Sequence, residues 1–414
     1  REPIARVPVP GGGTAAFDPG NCVVPSQQPI KPAGGVRRHD AYAALRVVNY
    51  RRFMGGFGVS STGLQMLAMA LGWEVYERTN DPLHLGYIGL ARALPVVALA
   101  LPAGHLIDRF SRRWVLVGTQ AVMGLVAAML AVWSHAQAPL WLMYVLLVML
   151  ACGRVLNGPS RATLLPLIVP TGVFGNAVTW NSAAFQVSAV AGPLLGGVLI
   201  KAMGGAWVVY ACAAGGCFFF AALGATLKPG VQQRETGAFS LRSMTAGLSH
   251  LWNEKNILAA ITLDLFAVLL GGATALMPVY AKDILLVGPV GLGLLRAAPF
   301  VGAAVMAWVL AHRPPFGHAG RALLWSVAGF GACMIVFGLS TSIALSLTVL
   351  ALGGALDNVS VVIRHVLVQL RTPDHLRGRV SSVNSVFIEC SNELGAFESG
   401  AVARLFGPVF SVVS

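Results

Sequence analysis

Eleven apolar stretches, each close to the length of a bilayer crossing, limit what this 414-residue chain can fold into. They run over 53–76, 85–107, 114–134, 140–165, 176–200, 205–227, 256–280, 288–311, 321–339, 342–366 and 380–404. About 20 apolar residues are needed to cross a ~30 Å hydrocarbon core. With no water in that core, the backbone must satisfy its own hydrogen bonds, and a helix does so within one segment. Charged residues make up only 11% of the chain. A soluble domain carries about 25%, so this chain cannot cover a water-facing surface. The expected fold class is an all-α polytopic membrane protein. The 48 glycines suit helices that approach closely in a membrane.

The longest polar interruption, Lys228 to Lys255, divides the stretches six and five. Basic residues choose the side of each loop. Arg37, Arg38, Arg46, Arg51 and Arg52 precede the first stretch, and Arg109, Arg112 and Arg113 lie between the second and third. Lys228, Arg234, Arg242 and Lys255 fill the central interruption. Arg313 and Arg321, then Arg371, Arg377 and Arg379, occupy the matching loops of the second part. The alternate loops hold few cations. This pattern predicts a cytoplasmic N-terminus in a plasma (inner) membrane. It also accounts for much of the net charge of +13 without nucleic acid as a partner. Residues 1–44 are Pro/Gly-rich with no apolar period and no signal-peptide core, and are expected to be a disordered cytoplasmic tail. The predicted divisions are then 45–227, a six-helix bundle; 228–255, a cytoplasmic central loop; and 256–414, five helices plus the start of a sixth.

The two parts repeat. Gly89-Leu90-Ala91-Arg92-Ala93-Leu94-Pro95 matches Gly293-Leu294-Leu295-Arg296-Ala297-Ala298-Pro299 at an offset of 204. Asn181-Ser182 and Gly192 match Asn384-Ser385 and Gly395 at 203, as do Pro170 with Pro373 and Arg161 with Arg364. Near-equal offsets from distant stretches indicate duplicated halves. By the same arithmetic a twelfth helix begins at Gly407-Pro408 and is expected to be truncated here.

Several chemistries are excluded. The six cysteines have no metal-ligand spacing, the nine histidines form no H-E-x-x-H, and no Walker A sequence occurs. No nucleophile–base pair stands at workable spacing. The reading is therefore no enzyme, no catalytic residues, no metal and no cofactor.

Charges within apolar stretches are costly, about 2.5–3.5 kcal/mol each at a helix centre, so they are functional candidates. They are Arg92, Arg154, Asp264, Arg296, Asp357, Glu389, Glu393 and Glu398. Arg154 and Asp357 are equivalent under the offset and would face each other if both point inward. Glu389 and Glu393 share one helical face. Arg92 and Arg296 have a second reading as structural partners of acids on the eleventh or seventh helix. Glu398 has one as a solvated outer residue. Phe185, Phe266, Phe300 and Phe387 line a mostly apolar cavity or simply pack. Arg161 and Arg364 are expected to extend to the cytoplasmic surface.

Two motifs resemble those of the major facilitator superfamily. Gly104, Asp108, Arg109, Arg112 and Arg113 resemble its motif A, with Ser111 where Gly is usual. The plain alternative is a positive-inside anchor. Gly192, Pro193, Gly196 and Gly197 resemble motif C, with Ser188 in place of the first Gly. Trp73 to Tyr76, Asn157 to Pro166, Arg377 to Asn384 and Ser391 to Gly400 are similar to the branch that includes the bacterial enterobactin exporter. The resemblance covers Arg46 to the end. It implies the major facilitator fold, two pseudo-symmetric six-helix bundles, in a monomer. It further implies a secondary transporter that exports an amphipathic drug- or siderophore-like molecule, coupled to protons, by alternating access. Motif A would then stabilise the outward-open state. Asp264, Asp357, Glu393 and Glu389 would carry protons or bind substrate, with Arg92, Arg154 and Arg296 as counter-charges. Two alternatives stand beside this: a lysophospholipid or lipid translocator, using a lateral gap between helices 5 and 8 or 2 and 11, and a non-transporting sensor or scaffold.

Overall fold

The computed structural model describes residues 40–230, 254, 258–259, 262–263, 265, 273–313, 318–373 and 377–414. The first half contains α1 (Val48–Thr79), α2 (Pro82–Arg109), α3 (Arg112–His135), α4 (Leu140–Ile168), α5 (Phe174–Met203) and α6 (Trp207–Thr226). In the second, α7 (Ala273–Val279) runs into a π-helical turn at Tyr280–Ile284. Then come α8 (Gly288–Ala311), α9 (Ala319–Leu339), α10 (Ile343–Arg371), α11 (Arg377–Phe406) and the short α12 (Pro408–Val413). No strand occurs among the described residues. Asp264, Phe266 and most of the expected central loop lie outside them.

The helices are longer than the apolar stretches that announced them. The 30 residues of α5 span ~45 Å at 1.5 Å each, so the ends reach past the hydrocarbon into water. Tight turns join them. Asn80 ends α1 in the left-handed region at φ 50°, its N–H on the Tyr76 carbonyl. The Asp81 carboxylate accepts the Leu83 N–H at 3.0 Å and caps α2, whose first residue is Pro82. Gly204 closes α5 at φ 68°, where a side chain would be strained.

Eight described helices are long and apolar enough to cross a bilayer. Two long ones fall short because polar residues dilute them: Ser60, Ser61, Thr62 and Gln65 in α1, and Glu389, Asn392, Glu393 and Glu398 in α11. They pack alongside the others nonetheless. Large apolar side chains such as Trp325, Trp308 and Val132 face outward. Such a surface belongs in lipid.

The last residues of the expected tail are ordered against α5. The Trp180 indole and the Asn176 amide both donate to the Ala41 carbonyl, and Asn176 Oδ1 accepts the Ala44 N–H at 3.0 Å. These partners supply hydrogen bonds that a free segment lacks.

Within the first half, α1 packs on α5 and α6, and α3 and α4 complete the bundle with α2. In the second, α10 lies between α8 and α9, with α12 against α9 and α11. The halves meet through two crossings, α2 on α11 and α5 on α8. One apolar cluster joins the halves at the end holding Tyr76, Tyr210, Tyr280 and Phe337. At the opposite end each half has its own cluster: Tyr50, Phe53, Phe57, Leu164 and Phe220 in the first, Leu323, Val359 and Ile363 in the second.

Candidate functional site

The sequence repeat becomes a pair of matched crossings. A Cβ on Gly89 would sit 2.4 Å from the Glu393 carbonyl, and one on Gly293 would sit 2.5 Å from the Pro193 carbonyl. A Cβ on Gly400 would meet the Gly86 Cα at 2.8 Å, and one on Gly197 the Val290 Cα at 3.1 Å. Gly86 and Val290, like Gly400 and Gly197, are partners under the repeat offsets. Gly192 and Gly196 face the other way, onto Gln65 and Met66 of α1. Motif C is therefore where α5 touches both its own bundle and the other one. Ser188 adds a hydrogen bond where a glycine would add only space: its hydroxyl meets Thr62 Oγ1 at 3.1 Å.

The closed end is also tied by polar groups. Tyr76 donates to the Asp283 carboxylate, and Lys282 donates to Asn80 Oδ1 at 2.6 Å. Arg404 of α11 pairs with Asp81. The α1–α2 turn is thus held by the α7–α8 turn and by α11 at once. A recess of about 510 Å³ opens beside these groups.

Inward from this end lies the charge cluster. Arg92 on α2 places Nη1 3.7 Å from Glu393 Oε1 on α11. Glu393 and Glu389 act electrostatically on Arg154 of α4, and Glu393 on Arg296 of α8. Arg92 acts on both arginines as a like charge. Arg296 also reaches toward α1, where a Cβ on Gly72 would lie 3.4 Å from its Nη2. The Arg154 side chain is exposed. Asp357 is half-buried on α10, one turn past the close contact of Gly354 with Pro299. Glu398 is half-buried beside Ser399, whose hydroxyl lies 3.3 Å away. Phe185 and Phe387 are exposed and Phe300 half-buried.

Arg161 and Arg364 depart from expectation. The Arg161 guanidinium stacks over the Phe57 ring at 4.5 Å, and Arg364 is buried with Nε 3.4 Å from the Ser360 carbonyl. Phe57 of α1 draws the Arg161 head away from the surface, and Arg364 bonds back within its own helix, instead of extending to water. At the motif A loop, Arg112 donates to the Thr163 carbonyl of α4 at 3.3 Å and Arg113 to the Ala225 carbonyl of α6. Both cap carbonyls near helix C-termini, where cations are favoured. Gly104, Asp108 and Arg109 are in α2, and their side chains lie outside those described.

One charged cluster escaped the sequence reading. Glu74 is 5% exposed. It accepts from Ser134 Oγ and Tyr210 Oη, each at 2.8 Å, and pairs with Arg78. Arg78 lies 4.2 Å above the Trp133 ring and donates to the Ser134 and Ala138 carbonyls. Its sequence signals were the Glu74–Arg78 spacing of four and its place within the 53–76 stretch, in the Trp73 to Tyr76 segment.

A model of the transmembrane secretion effector family matches residues 39–412. The chain belongs to that family, a branch of the major facilitator superfamily. Like its relatives, this secretion-effector protein is a multi-pass membrane transporter with the major facilitator fold. It is 23% identical over 376 residues to the multidrug efflux pump Tap of Mycolicibacterium fortuitum, covering 84% of this chain and 87% of that one. It is 26% identical to the enterobactin exporter EntS of Citrobacter koseri, covering 89% and 88%. Among solved structures it is similar to a bacterial homologue of the iron transporter ferroportin in an inward-facing state, with a TM-score of 0.63 at 16% identity, covering 89% of this chain and 95% of that one. The likeness of that structure is one of fold.

Proposed function

We propose that this transporter exports an amphipathic small molecule in exchange for protons by alternating access. The observation that carries the reading is the Arg92–Glu393 pair at the α2–α11 crossing, with Arg154, Arg296 and Glu389 within electrostatic reach. A carboxylate between two halves that rock can take a proton on one side and lose it on the other. Protonating Glu393 cancels the charge that faces Arg92, which loosens the tie between halves. The direction rests on motif C and on the efflux relatives.

On this reading the end tied by Tyr76, Asp283, Asp81 and Arg404 is the outer one. Among the described residues the halves share a cluster there and have separate clusters at the other end, which supports reading this arrangement as inward-open. The 2–11 and 5–8 crossings, where a lipid tail would enter, are filled by backbone contacts at the joined end.

The test is transport in proteoliposomes under an imposed pH gradient, with a panel of fluorescent amphipathic drugs. The wild-type chain moves at least one of them against its gradient, and Glu393→Gln and Asp264→Asn abolish the coupling. If no panel member responds to the gradient and both variants behave as wild type, the antiport reading fails.

A further inference from the structure

The α7–α8 turn combines irregular backbone with ties between the halves. Its π-helical part, Tyr280–Ile284, closes with the Leu285 N–H on the Tyr280 carbonyl at 2.7 Å. The Val287 N–H then reaches back to the Ala281 carbonyl at 2.9 Å, with Leu286 before it at φ 53°. This is a helix-ending loop whose left-handed residue is usually glycine. A leucine there carries a steric cost that packing does not offset, because Leu286 is 78% exposed. The start of the turn is fixed to the second half. Tyr280 is buried, donates to the Gly338 carbonyl at 2.9 Å and packs on Phe337. Two and three residues on, Lys282 and Asp283 hold the first half, through Asn80 and Tyr76. Strained backbone persists only where its surroundings fix it, and these two ties fix the far side of the turn. A π turn is an α-helical turn with one residue inserted. Returned to α geometry, the segment after Tyr280 would rotate by roughly 100°, the step of one residue, and carry both side chains off their partners.

We propose that the α7–α8 turn is a strained latch. It holds the joined end shut while Lys282 and Asp283 are bonded across the halves, and it relaxes to α-helix when those bonds break, withdrawing both residues. This rests on alternating access in the reading above, and needs neither its protons nor its solute. The strain belongs to the closed state. Removing the strain therefore favours closure, whereas removing a tie favours opening.

The experiment measures the spin-label distance between Ala136→Cys and Thr341→Cys on the full chain in lipid, with the native cysteines replaced by alanine. Neither label is on the turn, and short and long distances report this end closed and open. Tyr76→Phe should lower the closed-to-open ratio about tenfold, as expected for losing a hydrogen bond to a charged group. The Leu286 variants are read in the parent and in the Tyr76→Phe background, so that both distances are populated. Leu286→Gly and Leu286→Asn, both at ease with a positive φ, should raise the ratio about fivefold. Leu286→Ala removes the same exposed side chain but keeps the left-handed cost, and should stay within about twofold of its background. If Leu286→Gly and Leu286→Asn behave as Leu286→Ala does, while Tyr76→Phe still opens this end, the turn stores no strain. That result overturns the latch and leaves alternating access standing. If one distance persists unchanged in every variant, the latch and alternating access are both overturned.

Discussion

At the scale of single residues, two kinds of charge in this transporter do different work. Glu74 is fully partnered: a cation, a phenol and a hydroxyl hold it between α1, α3 and α6. Removing one member of such a buried set leaves the rest uncompensated, at a cost of about 3–5 kcal/mol. Arg78→Ala is therefore expected to lower the thermal midpoint of the purified protein strongly. Tyr210→Phe, which removes one hydrogen bond, costs about 1–3 kcal/mol and lowers it less. The reverse order, measured by scanning fluorimetry, would rule out this role for the pair. Glu393 is held loosely instead, 3.7 Å from Arg92. Glu393→Gln is expected to leave the midpoint within a few degrees while abolishing proton-driven transport. Sequence alone drew attention to Glu393 because it interrupts an apolar stretch. It passed over Glu74, which sits near a helix end where an acid reads as solvated. Only the packing of three helices distant in sequence shows that this end is closed to water.

At the scale of elements, the crossings are built on backbone contact. Gly197 and Gly293 tie α5 to α8, and Gly86, Gly89 and Gly400 tie α2 to α11. A methyl at Gly89 or Gly293 meets a carbonyl oxygen at 2.4–2.5 Å, which cannot be relieved by a side-chain rotation. Overpacking costs about 1–3 kcal/mol, and here the cost falls only on the state with this end closed. Gly89→Ala and Gly293→Ala should each shift the population toward the opposite state by about tenfold. A cysteine placed at Thr341 of the α9–α10 turn would not register this, but one at Val290 inside the crossing should react faster with a membrane-impermeant maleimide. Unchanged labelling would show that the crossing does not open. The helices themselves were legible because hydropathy summed over twenty residues outweighs any local ambiguity. The crossings were half legible: the repeat named Gly89 and Gly293 as equivalents, while their facing carbonyls follow from three-dimensional register. The seventh stretch fared differently. A π-helical turn at Tyr280–Ile284 ends it, and no apolar period distinguishes that turn from an α-helix.

At the scale of the whole molecule, the repeat implies an exchange of states. Among the described residues, the two halves share one apolar cluster at the Tyr76–Tyr280 end and have separate clusters at the other. The two-bundle fold was legible in the duplicated offsets, but which end is joined was not, because the offsets equate positions along the two halves and do not say which ends meet. The joined end carries the Tyr76–Asp283 and Asp81–Arg404 ties, and the other end carries Arg112 and Arg113, which bind only within the first half among the described contacts. The most direct measurement is a pair of spin-label distances on the full chain in lipid. One pair, Ala136→Cys and Thr341→Cys, reports the joined end; the other, Phe110→Cys and Arg313→Cys, reports the opposite end. Imposing an inward proton gradient should lengthen the first distance and shorten the second, and Glu393→Gln should remove that response. If both distances stay single and unmoved from pH 5 to 8, with and without a transported dye, the two halves do not rock and the account is wrong.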